Sequence, residues 1–219
     1  MTDFDLARKT MVDNQLRTAG VTDRRLLAAL GAVPREKFVP ELRRPLAYTD
    51  AVLPLHGTRK LGAPAPLAKL LQLAAIEGSD KVLVLGTGTG YSAALLARLA
   101  DSVVAVESDG ALAAAARTTL GELGVANATI VEGALESAGK SKGPYDVIVI
   151  EGALAEVPDT LLNQLKPEGR LVALIGRDGK PAVAHLFVRT GKGIAARAEF
   201  NANLPPLPGA APREDSFVF

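Results

Sequence analysis

This sequence predicts an α/β fold with a doubly wound, mostly parallel sheet, and three features predict it. Apolar runs at residues 82–85, 103–106, 145–150 and 170–175 have high strand propensity. Helix-like stretches rich in alanine and leucine alternate with them, and strands alternating with helices through right-handed crossovers form a parallel sheet with helices on both faces. The third feature is residues 81–91, Lys-Val-Leu-Val-Leu-Gly-Thr-Gly-Thr-Gly-Tyr, where a buried strand runs straight into glycines at alternating positions and then into a helix.

Bulk composition sets the bounds. A chain of 219 residues can hold one α/β domain with an extension, and a hydrophobic share of 48% with 22% charged residues is ordinary for a protein that folds in water. Twenty-five basic residues against 24 acidic ones leave a formal charge of +1, so no nucleic-acid footprint is expected. With no cysteine, disulfides, thiolate metal sites and a cysteine nucleophile are excluded. The first twenty residues spread their charges evenly, which predicts neither a signal peptide nor a membrane span and makes the cytoplasm the expected location.

Taken in order, residues 3–19 have helical apolar spacing at Phe4, Leu6, Ala7, Met11, Val12 and Leu16. A second helix follows Thr22 or Asp23 as cap, with Gly31 as its expected stop. Pro34, Pro40 and Pro45 make the next stretch a loop-rich lead-in. Residues 51–55 suit a short strand, and the glycine-, proline- and cation-bearing loop 56–64 precedes a helix at 66–76. Then come strand 82–85, helix 92–100, strand 102–107, helix 110–123, strand 129–131, strand 145–150, helix 158–165 and strand 170–175. Beyond Gly176 the alternation ends: 182–189 and 193–200 read as an antiparallel hairpin, and 215–219 as a last edge strand. One domain is expected, comprising an N-terminal helical extension and substrate-side loop (1–65), a cofactor-binding core (66–176) and C-terminal antiparallel strands (177–219).

The glycine loop carries the chemistry. Gly86, Gly88 and Gly90, with Thr87 and Thr89 between them, permit positive φ and close approach of the backbone to a ligand, and the helix that follows offers unpaired N–H groups. A dinucleotide fingerprint needs a third glycine where this chain has Tyr91, so a nicotinamide cofactor is disfavoured. Glu107 closes the next strand, where a carboxylate can take both hydroxyls of a ribose. This arrangement occurs in S-adenosylmethionine-dependent methyltransferases; a structural glycine turn beside a solvated strand end is the other reading. His56 reads as a loop residue and His185 as structural, Tyr48 and Asp50 as positioning the lead-in loop, and no metal site is expected.

Residues 11–30, the segments Val-Pro-Arg-Glu-Lys-Phe-Val-Pro and Ala-Tyr-Thr-Asp-Ala-Val-Leu-Pro-Leu, the loop Leu-Gly-Thr-Gly-Thr-Gly-Tyr and residues 145–171 together resemble the protein-L-isoaspartate O-methyltransferase family. The likeness spans residues 8–176 in the family's order. It implies a methyltransferase that uses S-adenosyl-L-methionine to methylate the free carboxylate of isoaspartyl residues in damaged proteins, with protein or peptide as partner. It places Gly86, Gly88 and Gly90 by the methionine part of the cofactor, Glu107 at its ribose, and Glu132 with Gly133 where the family has a Gly-Asp-Gly turn near the adenine. A carboxylate acceptor is ionised at neutral pH and needs no general base. Two positions depart from the family. Gly62, in Lys60-Leu61-Gly62-Ala63-Pro64, stands where a Thr-Ile-Ser-X-Pro pattern places a serine hydroxyl at the reacting carboxylate, and Glu151 follows a strand that small uncharged residues usually close. Gly62, Glu151 and Lys60 are therefore the candidate catalytic positions, with Glu151 expected to face Arg59 or Lys60. The alternative is a cofactor-binding homologue with another methyl acceptor or without catalysis.

Overall fold

Residues 3–134, 140–176 and 182–207 are described in a computed structural model of the chain. Helix α1 (Phe4–Met11) starts at Asp3, whose side chain accepts from Leu6 N, and runs on through a π-helical turn, Val12–Leu16. Helix α2 (Arg24–Ala32) is capped by Asp23, which accepts from the amides of Arg25 and Leu26. Gly31 does not stop this helix. It lies inside it, and the chain turns extended at Val33, the residue before Pro34, where proline disfavours helical backbone. The proline-rich lead-in holds two 3-10 turns, Arg35–Phe38 and Glu41–Leu46.

The expected strand at 51–55 shrinks to β1 (Leu53–Pro54), and it pairs with a strand the pattern did not predict, β2 (Lys60–Leu61). Helix α3 (Pro64–Leu73) begins with Pro64 in its first turn. The remaining elements are β3 (Lys81–Leu85), α4 (Tyr91–Leu96), β4 (Ser102–Glu107), α5 (Gly110–Glu122), β5 (Ala128–Glu132), β6 (Tyr145–Leu154), α6 (Asp159–Leu162), β7 (Leu165–Ile175), β8 (Val183–Thr190) and β9 (Gly193–Asn201). The helix expected at 158–165 is thus cut short, since Leu165 already pairs with Tyr145 as the start of β7. The strand expected at 215–219 lies outside the described residues.

The main sheet has seven strands in the order β5-β4-β3-β6-β7-β8-β9. Strands β3 to β7 are mutually parallel and β8 and β9 antiparallel, as the alternation predicts. Strict alternation sorts the strand side chains to the two faces. Val82, Val84, Val103, Ala105, Val147, Val149, Val172 and Leu174 join α1 to α5 in one core. Leu83, Leu85, Val104, Val106, Ile148, Ile150, Leu171 and Ala173 face Leu161 of α6 and Leu207. The strand order reverses beside β3, so the loops after β3, β4 and β6 converge on one crevice at the carboxyl ends of the strands.

Candidate active site

Three glycines form the floor of that crevice. Gly86, Gly88 and Gly90 have φ of 79°, 56° and 94°, left-handed values that a side chain would strain. Gly90 is also a packing glycine, since a Cβ there would lie 3.1 Å from that of Ala116 in α5. Thr87 is buried with its hydroxyl 3.0 Å from that of Ser92, while the Thr89 hydroxyl donates to Phe38 O at 2.6 Å and ties the loop to the N-terminal segment. Tyr91 is fully buried, edge-on to Phe38 at 5.4 Å, with the Arg35 guanidinium carbon 4.8 Å above its ring.

Glu107 has no exposed surface and ends β4 directly beside this loop. Its Oε1 accepts from the amides of Ser108 (3.0 Å) and Asp109 (3.1 Å), and its Oε2 accepts from the Gly88 amide and Arg59 Nη2, both at 2.7 Å. Arg59 Nη2 donates as well to Gly86 O at 3.0 Å. The strong ion pair of this site is therefore Arg59 with Glu107, in place of the Arg59–Glu151 pair that the sequence suggested. Arg59 still acts on Glu151 through its charge without bonding to it. In the two-residue strand β2, Lys60 points to solvent while Arg59 and Leu61 are buried, so the inward cation of the loop is Arg59. His56 Nδ1 lies 2.9 Å from Asp109 Oδ2, which ties this loop residue to the cap of α5. Glu132 and Gly133 close β5 at the same end of the sheet, and the Gly133 amide donates to Glu107 O at 3.1 Å.

The loop before α3 is built differently from a serine-bearing one. A Cβ on Gly62 would sit 2.4 Å from Leu204 Cδ2, so a buried leucine fills the space in front of this glycine. The Gly62 carbonyl accepts from Arg35 Nη2 at 2.6 Å, and Arg35 Nε donates to Ala47 O at 2.7 Å. Residues 204–207 run alongside the end of β6, with Ala153 N donating to Pro205 O and Leu207 N to Ala153 O. Leu207 lies over Gly86 and Gly152. A surface cleft lined by Asp50, Val52, Ala63, Pro66, Lys69 and Asn203 borders this region.

Glu151 sits in a bulge. Val149 pairs with Val172 and Ala153 with Leu174, so Ile150, Glu151 and Gly152 stand opposite Ala173 alone. Bulges of this kind re-aim a side chain beside a site. Burial pushes the Glu151 carboxyl up to about 7, offset in part by the Ser92 hydroxyl, Arg59 and Arg35 and reinforced by Glu107. The residue as a whole keeps a little exposed surface, but its Oε2 is shut off from solvent with no hydrogen-bond partner, as are Arg35 Nη1 and Tyr91 Oη. Arg35 and the bulge were not singled out as site features by sequence reasoning, and Arg59 was singled out only as a partner for Glu151. The one available signal for Arg35 was its place in the family-like Val-Pro-Arg-Glu-Lys-Phe segment.

The crevice suits the adenosyl part of a nucleoside cofactor on two observations. The loop carries three positive-φ glycines, and the Glu107 carboxylate is anchored by three backbone amides, leaving Arg59 as its one side-chain partner apart from a long contact to the Ser108 hydroxyl. Among the described residues no group of histidine, cysteine or carboxylates could hold a metal ion, and no helix is long and apolar enough to cross a membrane.

Comparison with known proteins gives these features a context. A protein-L-isoaspartate O-methyltransferase of Koribacter versatilis is 39% identical over 188 residues, covering 86% of this chain and 83% of the relative. One from Geobacter metallireducens is 41% identical over 174 residues, covering 80% and 81%. A solved protein-L-isoaspartate O-methyltransferase superposes with a TM-score of 0.81 at 26% identity, covering 93% of this chain and 66% of that longer one. A Plasmodium falciparum structure, described as a putative protein-L-isoaspartate O-methyltransferase in complex with S-adenosyl-L-homocysteine, shares the fold with a TM-score of 0.78 at 19% identity, covering 91% and 97%. Residues 7–202 match the family described as protein-L-isoaspartate(D-aspartate) O-methyltransferase (PCMT), and the chain belongs to that family.

Proposed function

We propose that this crevice transfers a methyl group from S-adenosyl-L-methionine to the free carboxylate of isoaspartyl residues in proteins or peptides. The observation that carries the reading is the buried Glu107 carboxylate bonded to the amide of Gly88, inside a loop of three positive-φ glycines. When bound, S-adenosylmethionine supplies an electrophilic methyl group on a positively charged sulfur. Gly86, Thr87, Gly88, Thr89, Gly90 and Tyr91 then form the wall along its amino-acid part, Glu107 receives the ribose hydroxyls once Arg59 swings aside, and Glu132 with Gly133 borders the adenine. The acceptor carboxylate is ionised near neutral pH, so no residue has to remove a proton, and the chain's work is to align the two groups and exclude water. Leu204 and Leu207, both buried, supply the apolar cover.

A single domain is part of this reading, supported by a core that Met11, Leu16, Leu26 and Leu30 of the N-terminal segment share with Val82 and Val84 of β3. We place the enzyme in the cytoplasm, in keeping with a sequence free of cysteine. The test is transfer of radiolabelled methyl groups to an isoaspartyl peptide beside its aspartyl twin, with calorimetric titration of the cofactor in parallel. Labelling of the isoaspartyl peptide alone is expected; equal labelling of both, or cofactor binding with no labelling, overturns the assignment.

A further inference from the structure

Gly62 cannot offer a hydroxyl, and Leu204 occupies the place where one would project. An acceptor carboxylate in this crevice therefore needs a hydrogen-bond donor from another residue. Glu151 is the candidate, since its Oε2 is buried without a partner and it lies in the bulge beside the glycine loop. Its bulge brings it to the wall of the glycine loop, where its backbone oxygen lies 3.2 Å from the position a Gly86 Cβ would take. On its other side Arg35, whose charge acts on Glu151, also holds the Gly62 carbonyl, so one guanidinium links the two positions at which this chain departs from the family pattern. Three polar atoms of this cluster, Glu151 Oε2, Arg35 Nη1 and Tyr91 Oη, are buried and unpartnered. Arg35 and Tyr91 act on each other, the guanidinium lying over the ring and drawing on the hydroxyl, which leaves Glu151 Oε2 as the atom of the three that most needs a partner. A buried polar atom without a partner is costly and calls for an explanation, a catalytic or binding role among them.

We infer that Glu151, in its protonated form, donates a hydrogen bond from Oε2 to the non-attacking oxygen of the acceptor carboxylate and so replaces the missing serine hydroxyl. This rests on the isoaspartyl reading above. The charged and titratable groups facing Glu151 are Arg35 from the turn after α2, Arg59 from the turn before β2, Tyr91 from the start of α4 and Glu107 from the end of β4. Burial with Glu107 outweighs the two arginines, and the proton stays on Glu151 up to a pH of about 7. An acceptor carboxylate loses its own proton at about pH 4, so between these values the acceptor is charged while Glu151 is a neutral donor. The like-charge repulsion expected from a carboxylate at this position then vanishes. In the transfer itself the attacking oxygen forms a bond to the methyl carbon as the sulfur–carbon bond breaks, the electron pair goes to sulfur, and Glu151 keeps its proton, bonded to the carbonyl oxygen of the ester.

The experiment is calorimetric titration of an isoaspartyl peptide into protein saturated with S-adenosylhomocysteine, which binds without turnover, at about pH 6 and about pH 8.5. The unaltered protein is expected to bind about tenfold or more weakly at the higher pH and to take up close to one proton there, read from the dependence of the enthalpy on buffer ionisation. Glu151→Gln, whose amide donates at every pH, should flatten that profile and abolish the proton uptake; Glu151→Ala should weaken binding already at the lower pH. In turnover the alkaline loss should appear in KM more than in kcat. Affinity of the unaltered protein that does not change with pH, or the same fall in Glu151→Gln, overturns the inference while leaving the isoaspartyl reading intact. S-adenosylhomocysteine binding with no peptide binding at either pH overturns both. The proton uptake is measured on the unaltered protein, so it decides the matter even if a variant fails to fold.

Discussion

Of the side chains that contact the Glu107 carboxylate, Arg59 makes the short bond. Glu107→Ala is expected to weaken cofactor binding by about 1–3 kcal/mol through lost charged hydrogen bonds, whereas Arg59→Gln, which frees Oε2 without disturbing the backbone amides, is expected to tighten it by about 1 kcal/mol. Titration calorimetry with S-adenosylhomocysteine checks both, and a weaker complex for Arg59→Gln would mean that the guanidinium itself contacts the cofactor. Glu151 sets a second contrast. The native state holds its carboxyl proton up to about 7, while the unfolded chain releases it near 4.5. Stability is therefore expected to fall as pH rises between these values and to level off above them, by up to about 3 kcal/mol, since the folded state binds the extra proton. Urea unfolding midpoints of the unaltered protein and Glu151→Gln at pH values below and above this window test the sign: only the unaltered protein should show the decline.

At the scale of elements, Leu204 in the strap of residues 204–207 packs against Gly62, the residue just after the β1–β2 hairpin. Restoring a serine there is expected to push Leu204 out of its buried position, lowering stability by about 1–3 kcal/mol. A thermal melt of Gly62→Ser beside Gly62→Ser/Leu204→Ala checks it, the double variant regaining part of the loss. The strands, the glycine loop and Glu107 were legible in the sequence because apolar alternation and positive-φ glycines are local signals. The hairpin was not, since two two-residue strands leave no periodic trace, and the early end of α6 was hidden because Leu165 pairs with Tyr145, a contact made across the fold. The partner of Arg59 was misread for a related reason: alternation says which residue points inward, but two carboxylates, Glu107 of β4 and Glu151 of β6, stand on either side of β3, and only tertiary geometry chooses between them.

For the molecule as a whole, the reversal of strand order beside β3 has a consequence in time as well as in space. β3 finds its first neighbour, β4, a short way down the chain, but its second, β6, comes much later, with Val82 pairing to Val147. Closing so long a loop is entropically slow, and until it closes β3 exposes an unsatisfied edge of apolar residues. Amide exchange is expected to reveal this: in the full chain the backbone of Val82 to Leu85 should be among the slowest to exchange, while a fragment ending at residue 140 should show no protection there. During synthesis, then, the glycine loop and Glu107 leave the ribosome well before the strand that bears Glu151. The strand that seals β3 is thus also the one that carries Glu151, so closing the sheet and completing the second side of the site are a single event.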